Sequence, residues 1–210
     1  MPRISLISII FCFASLVLAP ATAQTTNQRL DRFVTKLIQN KQFSGSVLIA
    51  KEGKTVYRKS AGYAVFSKKV PNTDTISFPI ASLSKTMTAI GILQLAEQGK
   101  LAIDVPVANY LPGFPYTQIT VRHLLSHTSG LPPYNAYLNP IRAKDSSKVF
   151  TNADFLPAVV SGKNPLIYSP GEKGNYDNVN YIILALLIER LSGLPYAEYI
   201  QRYVLEPAGM

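Results

Sequence analysis

The sequence is short of the residues that most often announce a chemistry. Cysteine occurs once in 210 residues, at Cys12, inside an apolar N-terminal stretch. Past that stretch there is no thiol, and so no disulfide to expect. Histidine occurs twice, at His123 and His127. Their i,i+4 spacing suits a helical ligand pair, but the glutamate of H-E-x-x-H is missing and no third histidine follows, so no metal is expected. Clustered positive charge is also missing. The formal net charge is +9, yet no run of five basic residues occurs and no basic helix is interleaved with aromatics. That argues against nucleic acid as a partner and leaves only a weak attraction to anionic envelope surfaces. Residues 4–18 and 181–188 are the apolar runs, and both are too short to span a bilayer. There is no internal repeat and no low-complexity segment. Gly53-Lys54-Thr55 has the ending of a phosphate-binding loop, but Leu48 stands where the first glycine must be, so the match fails.

What remains is an ordinary globular composition, 47% hydrophobic and 16% charged, suited to one large or two small domains. The first 23 residues stand apart: Arg3 gives a positive start, residues 4–18 are apolar, and Ala21-Thr22-Ala23 is an A-x-A cleavage site before Gln24. This is the pattern of a cleaved export signal over 1–23, with an uncleaved anchor as the alternative. An exported chain without cysteine after Gln24 suits a bacterial periplasmic or secreted protein. No stable membrane span is expected once the signal is removed.

The mature chain, 24–210, reads as a first part over 24–79 and a mostly helical part over 80–205. Residues 25–42 carry Leu30, Phe33, Val34, Leu37 and Ile38 at helical spacing. Two strands, 46–50 and 55–59, flank the tight turn Lys51-Glu52-Gly53-Lys54. Residues 62–74 read as a loop. The helical part opens with a helix from about Ser82 to Gln98, whose stripe of Leu83, Met87, Ile90 and Leu93 is expected to face the core. A short helix over 120–125 is capped by Thr120. An irregular loop rich in Tyr, Asn and Pro follows through Pro140, bordering a pocket or forming a surface excursion. Further helices are expected over 151–160, over 178–191 (apolar nearly all round, hence buried) and over 197–205.

Ser82 and Lys85 lie three residues apart, on one face of a helical turn. A serine hydroxyl becomes a good nucleophile only when a base takes its proton, and a lysine amine serves only when neutral, which burial near a helix N-terminus favours. The Ser82 N–H at the same helix start is placed to hold a developing oxyanion. Alone, S-x-x-K equally describes a serine in a first turn with an exposed lysine after it. Three further stretches accompany it: His123-Leu124-Leu125-Ser126-His127-Thr128-Ser129-Gly130-Leu131-Pro132, then Pro170-Gly171, then Tyr176-Asp177-Asn178 opening the apolar helix.

In this combination and order the chain resembles the serine β-lactamase-related family, the branch of class C β-lactamases, D-Ala-D-Ala carboxypeptidases and related esterases. The resemblance covers essentially the whole mature chain. It implies an α/β (α+β) β-lactamase-like fold: a mostly helical domain plus an α/β domain with an antiparallel sheet. It also implies roles. Ser82 is the acylated nucleophile, Lys85 helps remove its proton, and Tyr176 is a proton carrier beside Lys85. Tyr and Lys can share one proton when close, because each favours the other's charged or neutral form as the proton moves. Asn178 is the substrate-binding residue, since an amide offers both donor and acceptor; it is also a candidate N-cap. Ser84, Ser129 and both histidines are expected to be structural.

The family's third motif, K-T-G or H-x-G on a C-terminal strand, is not found. The expectation is therefore a chain truncated at its C-terminus, with the last sheet strands and one oxyanion donor missing, a loss worth about 3 kcal/mol of barrier. The reading is an exported serine hydrolase acting through an acyl-enzyme on a small-molecule or peptidoglycan-peptide substrate (a β-lactam, a D-amino-acid peptide or an ester), with no cofactor. The alternative is a catalytically impaired fragment or a non-catalytic binding module.

Overall fold

The computed structural model describes residues 25–162 and 164–210. The expected signal peptide over 1–23 lies outside the described residues. Those residues fall into two compact units that divide between Phe78 and Pro79.

The first unit begins with α1, Thr26–Gln39. Thr25 caps it by accepting from Gln28 N–H while the Gln28 side chain accepts from Thr25 N–H, a reciprocal box that satisfies two otherwise orphaned donors. Val34 is the buried member of the expected stripe; Phe33 turns outward and is 62% exposed. Strands β1, Gly45–Lys51, and β2, Lys54–Ala61, pair antiparallel. Glu52 and Gly53 between them have φ of 51° and 73°, the two left-handed residues that a hairpin turn matched to strand twist requires. Tyr57 Oη and Lys59 Nζ both donate to Asp31 Oδ1, at 3.1 and 2.7 Å, tying the hairpin to α1. The pair is largely solvated, so it fixes register more than it stabilises. The expected loop at 62–74 instead contains a small second hairpin, β3 Tyr63–Val65 with β4 Val70–Pro71. Buried Asn72 secures its exit by donating to Ala61 C=O at 2.8 Å.

The second unit is helical: α2 Ser84–Glu97, α3 Val121–Leu125, α4 Tyr134–Arg142, α5 Asn152–Gly162, α6 Asn178–Ser192 and α7 Tyr196–Ile200, the last continued by a π turn over Gln201–Leu205. Its axis is α6. Val179, Ile183, Leu184, Leu187 and Ile188 are essentially inaccessible, as its all-round apolar sequence requires. The N-cap is Asp177, whose carboxylate accepts from Val179 N–H at 2.9 Å. Asn178 is therefore not the cap, and its amide is free for another partner.

Helix α2 corrects the expected stripe. Leu83, Ile90 and Leu93 are 66, 39 and 51% exposed, while Thr88, Gly91, Ile92 and Leu95 are buried. Apolar residues occur on both sides of this helix, so helical spacing fits either side, and packing on α6 selects the second. Gly91 explains how the helices approach so closely: a Cβ there would stand 3.0 Å from Ile188 Cδ1 and 3.2 Å from Tyr199 Cε1. Helix α4 is a second correction. The loop expected through Pro140 is instead mostly helical, since Tyr134–Arg142 form a helix with Pro140 inside it. Burial of Tyr137 and Leu138 outweighs the one backbone hydrogen bond that the proline removes. Among the described residues no single helix is long and apolar enough to cross a membrane.

Candidate active site

Ala81, Ser82 and Leu83 form a 3-10 turn that feeds directly into α2. Ala81 enters it with φ of 45°, a conformation a side chain adopts only at a cost of about 1–3 kcal/mol. Two bonds hold the turn: Leu83 N–H donates to Ile80 C=O at 3.0 Å, and Ser84 Oγ donates to Ala81 C=O at 2.6 Å. The result presents Ser82 just ahead of the helix, rather than within it as expected, with Lys85 on the first helical turn. The structural role expected for Ser84 is thus to close this turn.

The four expected site residues come together. Lys85 Nζ donates to Ser82 Oγ at 3.3 Å and to Asn178 Oδ1 at 2.7 Å. Tyr176 Oη donates to Ser82 Oγ at 2.7 Å. Ser82 is exposed and Tyr176 is 60% exposed, so the hydroxyl between lysine and phenol is open to an incoming substrate. Lys85 Nζ also lies 4.9 Å from the centre of the Tyr176 ring and 5.8 Å from that of Tyr181. The Tyr176 phenol is held below its ordinary value of 10.0, first by Lys85 and then by the hydrogen bond to Ser82. Lys85 acts here by proximity, since its own hydrogen bonds go to Ser82 and Asn178.

Tyr176 stands in the loop before α6, and residues 127–130 are the template for that loop. Ile167 N–H donates to Gly130 C=O, Gly171 N–H to Thr128 C=O and Asn175 N–H to His127 C=O, each at 2.8 Å. Gly130 carries the tightest approach. Its φ is 74°, and a Cβ there would stand 2.1 Å from the Tyr168 carbonyl oxygen, a backbone atom that cannot step aside. Gly130→Ala is therefore expected to destabilise the protein by at least about 2 kcal/mol, read as a fall in urea midpoint, and to lower activity by displacing the loop that bears Tyr176.

Sequence reasoning missed three members of this region. Tyr181 adds a second ring beside Lys85, and Ala81 supplies the strained entry to Ser82. His127 lies against both tyrosine rings, 4.5 Å from Tyr176 and 5.1 Å from Tyr181 between centres. The signal for the last was the His-Thr-Ser-Gly run, read only as a structural loop. His123 is engaged elsewhere, its Nδ1 accepting from Thr120 N–H at 3.2 Å. Among the described residues no group of three or more His, Cys, Asp or Glu side chains gathers that could hold a metal ion.

Beside Lys85 and Asn178 a cleft of about 370 Å³ opens, lined by Tyr134, Leu138, Asn152, Tyr181, Ile182 and Tyr196 among others. A larger hollow of about 540 Å³ lies in the first unit between β1, β2 and residues 72–74. Its lysine, Lys59, is bound to Asp31, so we place the chemistry at the smaller cleft.

The helical unit thus presents a serine between a lysine and a tyrosine, with an asparagine on the lysine, the arrangement that the resemblance to the serine β-lactamase-related family leads one to expect. The sequence model of the Beta-lactamase family matches residues 30–210, and the chain belongs to that family. It is similar to Penicillin-binding protein 4* of Bacillus subtilis, with 39% identity over 187 residues that cover 89% of this chain and 41% of that protein. It also resembles the crystal structure of a penicillin binding protein from Bacillus halodurans, with a TM-score of 0.71 and 35% identity, covering 84% of this chain and 54% of that one. A D-amino acid amidase from Ochrobactrum anthropi SV3, solved with L-phenylalanine, matches with a TM-score of 0.66 and 27% identity, over 79% of this chain and 44% of that one. The chain thus spans about two-fifths of the length of the curated relative, and it has the β-lactamase-like fold.

Proposed function

We propose that the protein is an exported serine hydrolase that cleaves an amide or ester bond through an acyl-enzyme on Ser82. The observation that carries this is the bridged hydroxyl: Ser82 Oγ lies 2.7 Å from Tyr176 Oη and 3.3 Å from Lys85 Nζ. When the phenol is ionised the first of these bonds reverses and Ser82 O–H donates to it. As Oγ attacks a substrate carbonyl carbon, its proton passes to Tyr176 and the charge is balanced by Lys85. The leaving amine or alkoxide takes that proton as its bond to the carbonyl breaks. Water then attacks the ester on Ser82, gives a proton to the same pair, and releases the acid while Oγ recovers its hydrogen. Asn178, held by Lys85, is left with amide N–H groups for the substrate.

The substrate is a small molecule or a peptidoglycan peptide: a β-lactam, a D-amino-acid peptide or an ester. The names of the penicillin-binding relatives and of the amidase support that range. Export rests on the positive start, apolar stretch and A-x-A site within residues 1–23, and places the enzyme in the periplasm or outside the cell.

Intact-mass spectrometry of the full chain before and after a reactive penicillin or a fluorophosphonate tests the proposal. One covalent adduct, mapped by peptide digestion to Ser82, is expected. No adduct, or one mapping to another residue, would overturn it.

A further inference from the structure

Ser129 and Asn180 lie in the core behind the site, two polar side chains that the proposed chemistry does not use, each 2% exposed. Buried polar groups persist where every hydrogen bond is made, and here the bonds form a directed chain. Leu131 N–H donates to Ser129 Oγ at 3.2 Å. Ser129 Oγ, already accepting there, donates its single proton to Asn180 Oδ1 at 2.5 Å. Asn180 Nδ2 donates to Asp177 C=O at 3.3 Å and stands 3.1 Å from His127 Nδ1. The partners on either side leave the amide one orientation. Asp177 N–H also points at His127 Nδ1, at 3.4 Å. A backbone N–H can only donate, so His127 Nδ1 is an acceptor and the ring proton sits on Nε2.

The imidazole so fixed is partly buried and lies close to the Tyr176 and Tyr181 rings, tilted 37° and 32° to them. His127 itself is held with φ of 56°, and its C=O accepts from Asn175 N–H, one residue before Tyr176. Both backbone and side chain of His127 therefore bear on Tyr176.

We infer that His127 is a positioning residue for Tyr176, an imidazole locked in its Nε2–H tautomer by the Leu131–Ser129–Asn180 relay so that the phenol lies over Ser82 beside Lys85. The inference deepens the proposed function and rests on it for the meaning of Tyr176. It gives Ser129 and Asn180 a part in setting up the site. The charged and titratable groups around the ring are Tyr176, Tyr181, Lys85 and Asp177. Burial first, and Lys85 second, disfavour a charge on His127; Asp177 opposes them. A neutral ring suits this role, because protonating Nδ1 would set it against two donors.

The chain has only two histidines, so nitrogen-detected NMR of the full protein resolves His127. The expected result is the Nε2–H tautomer at pH 7, with protonation below the ordinary 6.5. A charged ring or an Nδ1–H tautomer at pH 7 overturns the inference with no variant needed. Asn180→Asp keeps the volume but replaces the donor with an acceptor, and should move His127 protonation upward; an unmoved His127 would disprove the relay. His127→Ala should shift Tyr176 ionisation, followed by carbon-13 at the ring Cζ, back toward 10.0 by loosening the phenol from Lys85. It should also slow acylation of Ser82 by a saturating fluorophosphonate about 10- to 100-fold. His127→Phe keeps a flat ring but has no acceptor for Asn180 Nδ2 and Asp177 N–H, so its recovery of both should be partial; full recovery would disprove the part given to the relay. Unchanged Tyr176 ionisation in a folded His127→Ala protein would overturn the positioning role. If the unaltered protein fails to acylate at all, the proposed function fails, while the tautomer and ionisation measurements still decide the role of His127.

Discussion

Ser82→Ala is expected to abolish the covalent adduct and to lower turnover by about a thousandfold or more, with the fold intact. The two halves of that expectation have separate physical grounds. The loss of chemistry follows because no other hydroxyl is held between Lys85 and Tyr176 among the described residues: Ser84 Oγ is committed to Ala81 C=O and Ser129 Oγ to Asn180. The retention of fold follows because Ser82 is exposed, so water replaces the hydrogen bonds it accepts from Lys85 and Tyr176, and exposed substitutions of this kind change stability by about 0.5 kcal/mol or less. Turnover and probe labelling report the first half, circular dichroism and melting temperature the second. Turnover that persists in a folded Ser82→Ala protein would remove Ser82 as nucleophile and direct attention to another hydroxyl in the cleft.

The contrast between Ser82 and Ala81 shows where the site was legible in sequence and where it was not. Ser82 and Lys85 are suggestive residue types at helical spacing, and it was the family resemblance, carried partly by the Tyr-Asp-Asn triplet, that gave Tyr176 and Asn178 their expected roles. The spacing brings Lys85 to Ser82 through one helical turn. It says nothing of Tyr176, which reaches Ser82 from 94 residues away along a loop paired backbone-to-backbone with residues 127–130. The left-handed turns at Ala81 and His127 were invisible for another reason. Neither alanine nor histidine advertises positive φ as glycine does, and the surrounding hydrogen bonds impose it.

The fold divides similarly. The β1–β2 hairpin was legible because Glu52-Gly53 is a strong local turn signal, and α6 because its apolar character admits only burial. The buried side of α2 was not, because Leu83, Ile90 and Leu93 compete with Ile92 and Leu95 on equal terms until α6 is in place. The small hairpin at 63–71 and helix α4 were missed because local polarity and a proline outvoted contacts that exist only in the folded chain.

Lys85→Ala separates the two candidate proton carriers through pH. With a neutral ester or fluorophosphonate that does not itself titrate, acylation of Ser82 should rise with pH as Tyr176 ionises. In the unaltered protein this limb should lie below the ordinary tyrosine value of 10.0, because the neighbouring Lys85 favours the phenolate. Removing a nearby cation destabilises the anion, so the phenol pKa rises and the limb in Lys85→Ala should move up toward 10.0. At pH 7 the variant should acylate about 10²- to 10⁴-fold more slowly, the usual contribution of a positioned proton carrier. Part of that gap should close as the pH is raised, because the phenol regains its ionised form. Tyr176→Phe should behave differently: a loss of similar size, but with the limb gone and no recovery at high pH, since nothing in its place can ionise. A limb that stays in place when Lys85 is removed would show that some group other than Tyr176 titrates. A Tyr176→Phe protein with the original rate and limb would make Lys85 the sole base, with the phenol reduced to a hydrogen-bond donor at Ser82.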